Sequence, residues 1–234
     1  MARRYYFLLT ALPTLPELGE APPLSVQDFH QLLSQDPSVA ALIEAVLLEQ
    51  DLLSREAALA GEIERPAPVV LTAGQVRGEE PLPELLAAAP ERPRRIGADA
   101  MWEAYYRYVH GLASRQGCAF AGEWVRFEVA LRNALATARA AALELDPQEY
   151  LIAEDLAEAD APVDEIVSAW SAAPDPLSAL RALDQRRWRW IDEKSRYFSF
   201  ALDELAAYAR KLVLIARWHA LSREQAQTQA SEVR

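Results

Sequence analysis

Phe198-Ser-Phe-Ala-Leu-Asp-Glu-Leu-Ala-Ala-Tyr-Ala-Arg-Lys-Leu-Val-Leu-Ile-Ala-Arg-Trp218 is a long stretch without glycine or proline. Leu202, Leu205, Tyr208, Leu212 and Ile215 recur at spacings of three and four, which places them on one face of a helix. Asp203, Glu204, Arg210, Lys211 and Arg217 leave in other directions. No residue of the apolar face is chemically reactive, so the segment reads as a docking helix whose face is made to be packed. A one-sided helix of this length needs helical neighbours, and the rest of the chain supplies them.

A second long helical signal runs from Glu123 to Leu145, rich in Ala and Leu, with Trp124, Phe127, Leu131, Leu135 and Ala138 as its stripe. Glu128 and Arg132 lie one turn apart in it and are expected to pair, and with Asn133 they would set the register of a helix crossing. Before it, Asp99 to Val109 is helical and aromatic-rich; near the N-terminus Ser25, with Asp28 three residues on, opens a helix to about Ser34. Asp36-Pro37 starts another, reaching about Ala60. Asp146-Pro147 restarts a short helix through Leu156, Pro162 to Trp170 gives one more, and Leu177 to Leu183 leads into Arg186-Arg-Trp-Arg-Trp190. Tyr5 to Leu9 is predicted to be a buried strand or single helical turn. The predicted organisation is an N-terminal helical segment (1–60) packing on the main body, a Pro-rich connector (61–97) with a short helix from Leu82 to Ala89, a main helical bundle (98–221) and a frayed polar tail (222–234). The fold class is all-α, as one elongated multi-helix body or two helical lobes.

Composition narrows the partners. With 234 residues and a net charge of -11, the chain is a poor match for nucleic acid or anionic membrane as its main target, and protein partners fit better. No apolar run approaches the roughly 20 residues that span a bilayer. The opening Met1 to Pro13 has a basic start and a short apolar run, but Thr10 and Pro13 break it, so it is not read as a signal peptide. A single cysteine, Cys118, agrees with a reducing, cytoplasmic setting and reads as a small core residue.

Reactive constellations are sparse. His30, His110 and His219 lie on three segments with no second ligand one turn away, so no metal site is expected. Glu79-Glu80 and Glu154-Asp155 with Glu158 read as solvated faces, and the eight glycines form no phosphate-binding loop. The chain is therefore expected to have no catalytic residue and no cofactor. The densest candidate for partner binding is Arg187, Trp188, Arg189 and Trp190, since arginine and tryptophan dominate buried interface energy. The same residues would suit nucleic acid, with guanidinium on phosphate and indole on base. They suit packing better than nucleic acid, with one indole turned inward and the arginines paired to Asp184, Asp192 and Glu193.

Three stretches carry a family resemblance. They are Tyr5-Tyr-Phe-Leu-Leu-Thr-Ala-Leu-Pro13 with Pro22-Pro-Leu-Ser25 and Phe29; Trp124, Glu128, Leu131-Arg-Asn133, Ala136 and Arg139; and Trp188, Phe198, Phe200, Tyr208, Lys211-Leu212 and Arg217-Trp218. In these the chain resembles a bacterial family of unknown function encoded beside V-type ATPase operons. That family is itself similar to the C-type central-stalk subunit of V/A-type ATPases, which is the d-type one in eukaryotes. The resemblance implies an all-helical, non-catalytic subunit of the central stalk or an assembly factor, with the ATPase's central shaft and membrane ring as partners. The C-type subunit is considerably longer and built of three similar helical parts, and residues 61–97 have no obvious counterpart in it.

Overall fold

The computed structural model describes residues 5–87 and 94–232, with side chains through Arg223. Nine α-helices and no strand occur among the described residues. In chain order they are α1 (Tyr6–Ala11), α2 (Val26–Leu33), α3 (Ala40–Leu59), α4 (Ala73–Arg77), α5 (Gly97–Gln116), α6 (Ala119–Ala142), α7 (Val163–Ser171), α8 (Pro176–Lys194) and α9 (Leu202–Glu232). Local chemistry sets many of their ends. Ser25 Oγ accepts the Asp28 N–H at the start of α2, and Asp175 accepts the Ser178 N–H at the start of α8, where Pro176 fills the first helical position. Gly117 ends α5 at φ 68°, a left-handed geometry that a side chain disfavours, and the chain turns at once into α6.

Helix α9 lies against α2, α3, α6 and α8. Leu202, Leu205, Leu212 and Ile215 of the expected docking face are buried and Tyr208 is half-buried, so this face packs mainly inside the chain. The helix starts at Leu202, four residues later than Phe198, because Phe198 and Phe200 both adopt left-handed φ. Glu204 holds that turn by accepting the N–H groups of Phe198 and Phe200. Its backbone continues as helix to Glu232, where a frayed tail was expected, since no glycine or proline interrupts it; Val233 and Arg234 lie outside the described residues.

One hydrophobic core runs from Tyr5 through Phe29, Leu47, Trp102 and Phe127 to Leu214, so residues of segments 1–60 and 98–221 share a single core instead of forming two lobes. Tyr5 is buried in it, but Phe7 is 81% exposed, because α1 lies on the surface and turns only one side inward. The Pro-rich connector is strapped down. Buried Asp51 of α3 accepts the N–H groups of Val69, Val70 and Leu71 at 2.6 to 3.1 Å, and a Thr72–Gln75 capping box opens α4. The expected Leu82 to Ala89 helix is a single 3-10 turn, Glu84–Leu86, with Ala88 and Ala89 outside the described residues. The segment after α6 likewise forms two 3-10 turns, Pro147–Glu149 and Glu154–Leu156, in place of a helix.

Candidate functional site

The Arg-Trp segment lies on α8, and the helical repeat divides it between two faces. Leu183, Asp184, Trp190 and Ile191 are buried, with Arg187 beside them only 16% exposed. The Arg187 guanidinium forks onto Glu128 of α6, Nε to Oε1 at 2.7 Å and Nη2 to Oε2 at 2.8 Å, and its Nη1 donates to Asp184 at 3.0 Å. Asp184 in turn accepts from Arg217 Nη1 at 3.2 and 3.3 Å and from Trp218 Nε1 at 3.0 Å, both on α9. Trp190 stacks on Phe127, with ring centroids 5.2 Å apart, and meets Trp124 and Phe120. Arg187 and Trp190 therefore belong to the core and do not offer a partner surface.

A second buried pair extends the network. Arg210 of α9 donates to Glu49 Oε1 of α3 at 2.8 Å and lies over the Trp124 ring at 4.5 Å. Burial favours the neutral form of Glu49, yet Arg210, with Arg187 and Arg217 nearby, outweighs it and lowers the pKa. Burial likewise opposes charge on Arg187, and Glu128 and Asp184 override it, raising that pKa well above the ordinary value. Three carboxylates (Glu49, Glu128, Asp184) thus meet three guanidiniums (Arg187, Arg210, Arg217) in one crossing of α3, α6, α8 and α9. Glu49, Glu128, Arg187 and Arg217 of the network line a cleft of about 540 Å³ with Trp102 in its wall and Leu53, Ile96, Leu143 and Leu145 exposed around it.

The pairing expected inside α6 does not form. Glu128 goes to Arg187, while Arg132 binds Asp99 at 2.9 Å and lies over Trp102 at 5.2 Å. Asn133 holds a loop and not a helix crossing: it donates to the Ile152 carbonyl at 2.8 Å and accepts the Ile152 N–H at 3.1 Å, clamping a fully buried residue between the two 3-10 turns. The charge network includes Glu49 and Arg210, which local spacing could not single out because the two partners are 161 residues apart.

The other face of α8 is open. Trp188 is half-buried and Arg189 exposed, and with Gln185 and Arg181 one and two turns before Arg189 they line a groove of about 450 Å³. Trp218 and Ser222 of α9 and the Glu17-Leu18-Gly19 loop complete it. Arg181 lies over Trp218 at 5.7 Å, and Lys211 lies over Trp188 at 4.5 Å. Neither Arg181 nor Arg189 forms an ion pair among the described residues.

Elsewhere, His30 meets Glu44 at 3.2 Å, and no group of three metal-ligating side chains gathers among the described residues. Glu79 pairs with Arg77 and Asp155 with Arg107. Cys118 is buried, and burial, helped by the Asp203 carboxylate, pushes its thiol up to about 12. No helix of the described residues is long and apolar enough to cross a membrane.

Comparison with known proteins adds one finding. No curated protein and no solved structure matches the chain. A family model described as "Protein of unknown function (DUF2764)" matches residues 84–232, which include all of α5 to α9 and most of the charge network. Matched over more than half its length, the chain belongs to the DUF2764 family.

Proposed function

We propose that the protein is a non-catalytic subunit or assembly factor of a bacterial V-type ATPase, resembling the C-type central-stalk subunit that couples the soluble motor to the membrane ring. It would then sit in the cytoplasm, peripheral to the membrane through the ATPase, and serve ion transport without chemistry of its own. The reading rests on the sequence resemblance, and one observation supports it: residues from the separate stretches that carry the resemblance hold one another. Tyr5 N–H donates to the Phe200 carbonyl at 2.7 Å, Tyr208 OH donates to the Pro13 carbonyl at 2.8 Å, and Phe29 stacks on the Tyr208 ring at 5.4 Å. The first and last of those stretches therefore meet in the folded chain.

The competing reading is a free-standing helical adaptor that touches nucleic acid through the Arg-Trp cluster. Withdrawal of Arg187 and Trp190 into the core halves that cluster, and a chain of net charge -11 repels phosphate. Co-expression of the tagged chain with V-type ATPase subunits from the same bacterium separates the two. Stoichiometric co-purification with shaft or ring subunits is the expected result, and its absence from the purified complex overturns the assignment.

A further inference from the structure

We propose that the groove on the outer face of α8 is a docking site for an acidic segment of a partner protein, read by Arg181 and Arg189 and seated against Trp188. The chain holds 35 acidic and 24 basic residues, so carboxylates are plentiful. Arginines on other surfaces find them, as Arg77, Arg95 and Arg107 do. Among the described residues Arg181 and Arg189 line the same groove without one, and Glu17 is the one acid among the described residues that line it. A guanidinium offers a planar fork that matches a carboxylate or a phosphate with two hydrogen bonds, so two forks in one groove with no ion pair among the described residues suit an acidic ligand.

The tryptophans are held ready. Trp218, only 7% exposed, forms the floor of the groove, its Nε1 donating to Asp184 and its ring covered by Arg181. Trp188 has the Lys211 ammonium against its ring at 4.5 Å, and that ammonium is itself tied to Asp192 and Tyr197. Rings ordered before binding lose little freedom when a partner arrives. Leu18 and Leu177 add apolar surface in the groove, which suits a segment carrying apolar residues between its acids. Arginine and tryptophan in a concave site are the residue types that dominate interface energy. Nucleic acid is the weaker fit, because two arginines on a chain of net charge -11 give little to counter its phosphates. The inference does not depend on the ATPase assignment; either can fail alone.

The test uses the full chain, a fluorescein-labelled peptide of repeating Glu-Leu-Glu, a Lys-Leu-Lys peptide and an oligothymidylate, each followed by fluorescence anisotropy. The acidic peptide should bind, weaken as salt rises, and bind about tenfold or more weakly after combined Arg181→Glu and Arg189→Glu. A thermal melt checks the variant's folding; should it not fold, Arg181→Gln with Arg189→Gln takes its place. No binding of the acidic peptide, or binding that survives these changes, overturns the proposal. Tighter binding of the oligothymidylate that is lost with the same arginines also overturns it and assigns the groove to nucleic acid.

Discussion

On one face of α8, Arg187 has both ends of its guanidinium occupied by Glu128 and Asp184; on the other, Arg189 has no carboxylate at all among the described residues. Trp190 sits among Phe120, Trp124 and Phe127, while Trp188 looks into an open groove. The same residue types, one or two positions apart, hold the fold in one place and are available for recognition in the other. What separates them is the direction of departure from the helix, since neighbouring positions point about 100° apart at 3.6 residues per turn. A buried charge must be matched or the fold suffers, whereas an exposed one can stay unmatched at little cost. Composition alone therefore says nothing about which arginine serves a partner.

The largest expected effect lies on the inner face. Arg187→Met leaves Glu128 and Asp184 short of a buried partner, and should lower stability by about 3–5 kcal/mol in chemical denaturation. A variant as stable as the parent would mean that the inner charges are not the framework of this crossing. Arg210→Met should cost a similar amount, and adding Glu49→Leu should recover most of it, since removing both charges leaves no orphan. Failure of the second change to restore stability would separate the Glu49–Arg210 pair from the rest of the network.

Trp190→Ala should cost about 3–5 kcal/mol by opening a cavity among three aromatic rings. A loss below about 1 kcal/mol would place this ring with surface residues such as Trp188.

Near the same cluster, Cys118 predicts a pH dependence. Its folded value of about 12 lies above its ordinary 9.0, so the native state keeps the proton that the unfolded chain releases. The thiol's contribution is intact below pH 9.0 and is lost as pH rises towards about 12. Cys118→Ala should flatten the alkaline fall of the denaturation midpoint relative to the parent, and identical pH profiles would contradict the burial.

The smallest effect belongs to the outer face. Arg181→Glu with Arg189→Glu should move folding stability by no more than about 0.5 kcal/mol, since both side chains are exposed and neither has an ion-pair partner to lose among the described residues. A large drop in melting temperature would erase the contrast between the faces.

What the sequence by itself determines here is local. The apolar periods of 25–33, 101–109, 124–135 and 202–215 specify helices, because spacing along one helix suffices to build a face. Ser25 with Asp28, Asp175 with Pro176, and Gly117 specify ends, because a cap needs only neighbours within a turn. The tertiary structure decides what depends on distant segments. It sends Glu128 to Arg187, 59 residues away, although Arg132 stands one turn off, because α8 delivers a guanidinium whose fork meets both carboxylate oxygens. It delays α9 to Leu202, because Glu204 and the link from Tyr5 hold Phe198 and Phe200 in a left-handed turn. It also decides which half of the Arg-Trp segment faces inward: local spacing defines the faces of a helix, but only the helices packed against it choose which face is covered.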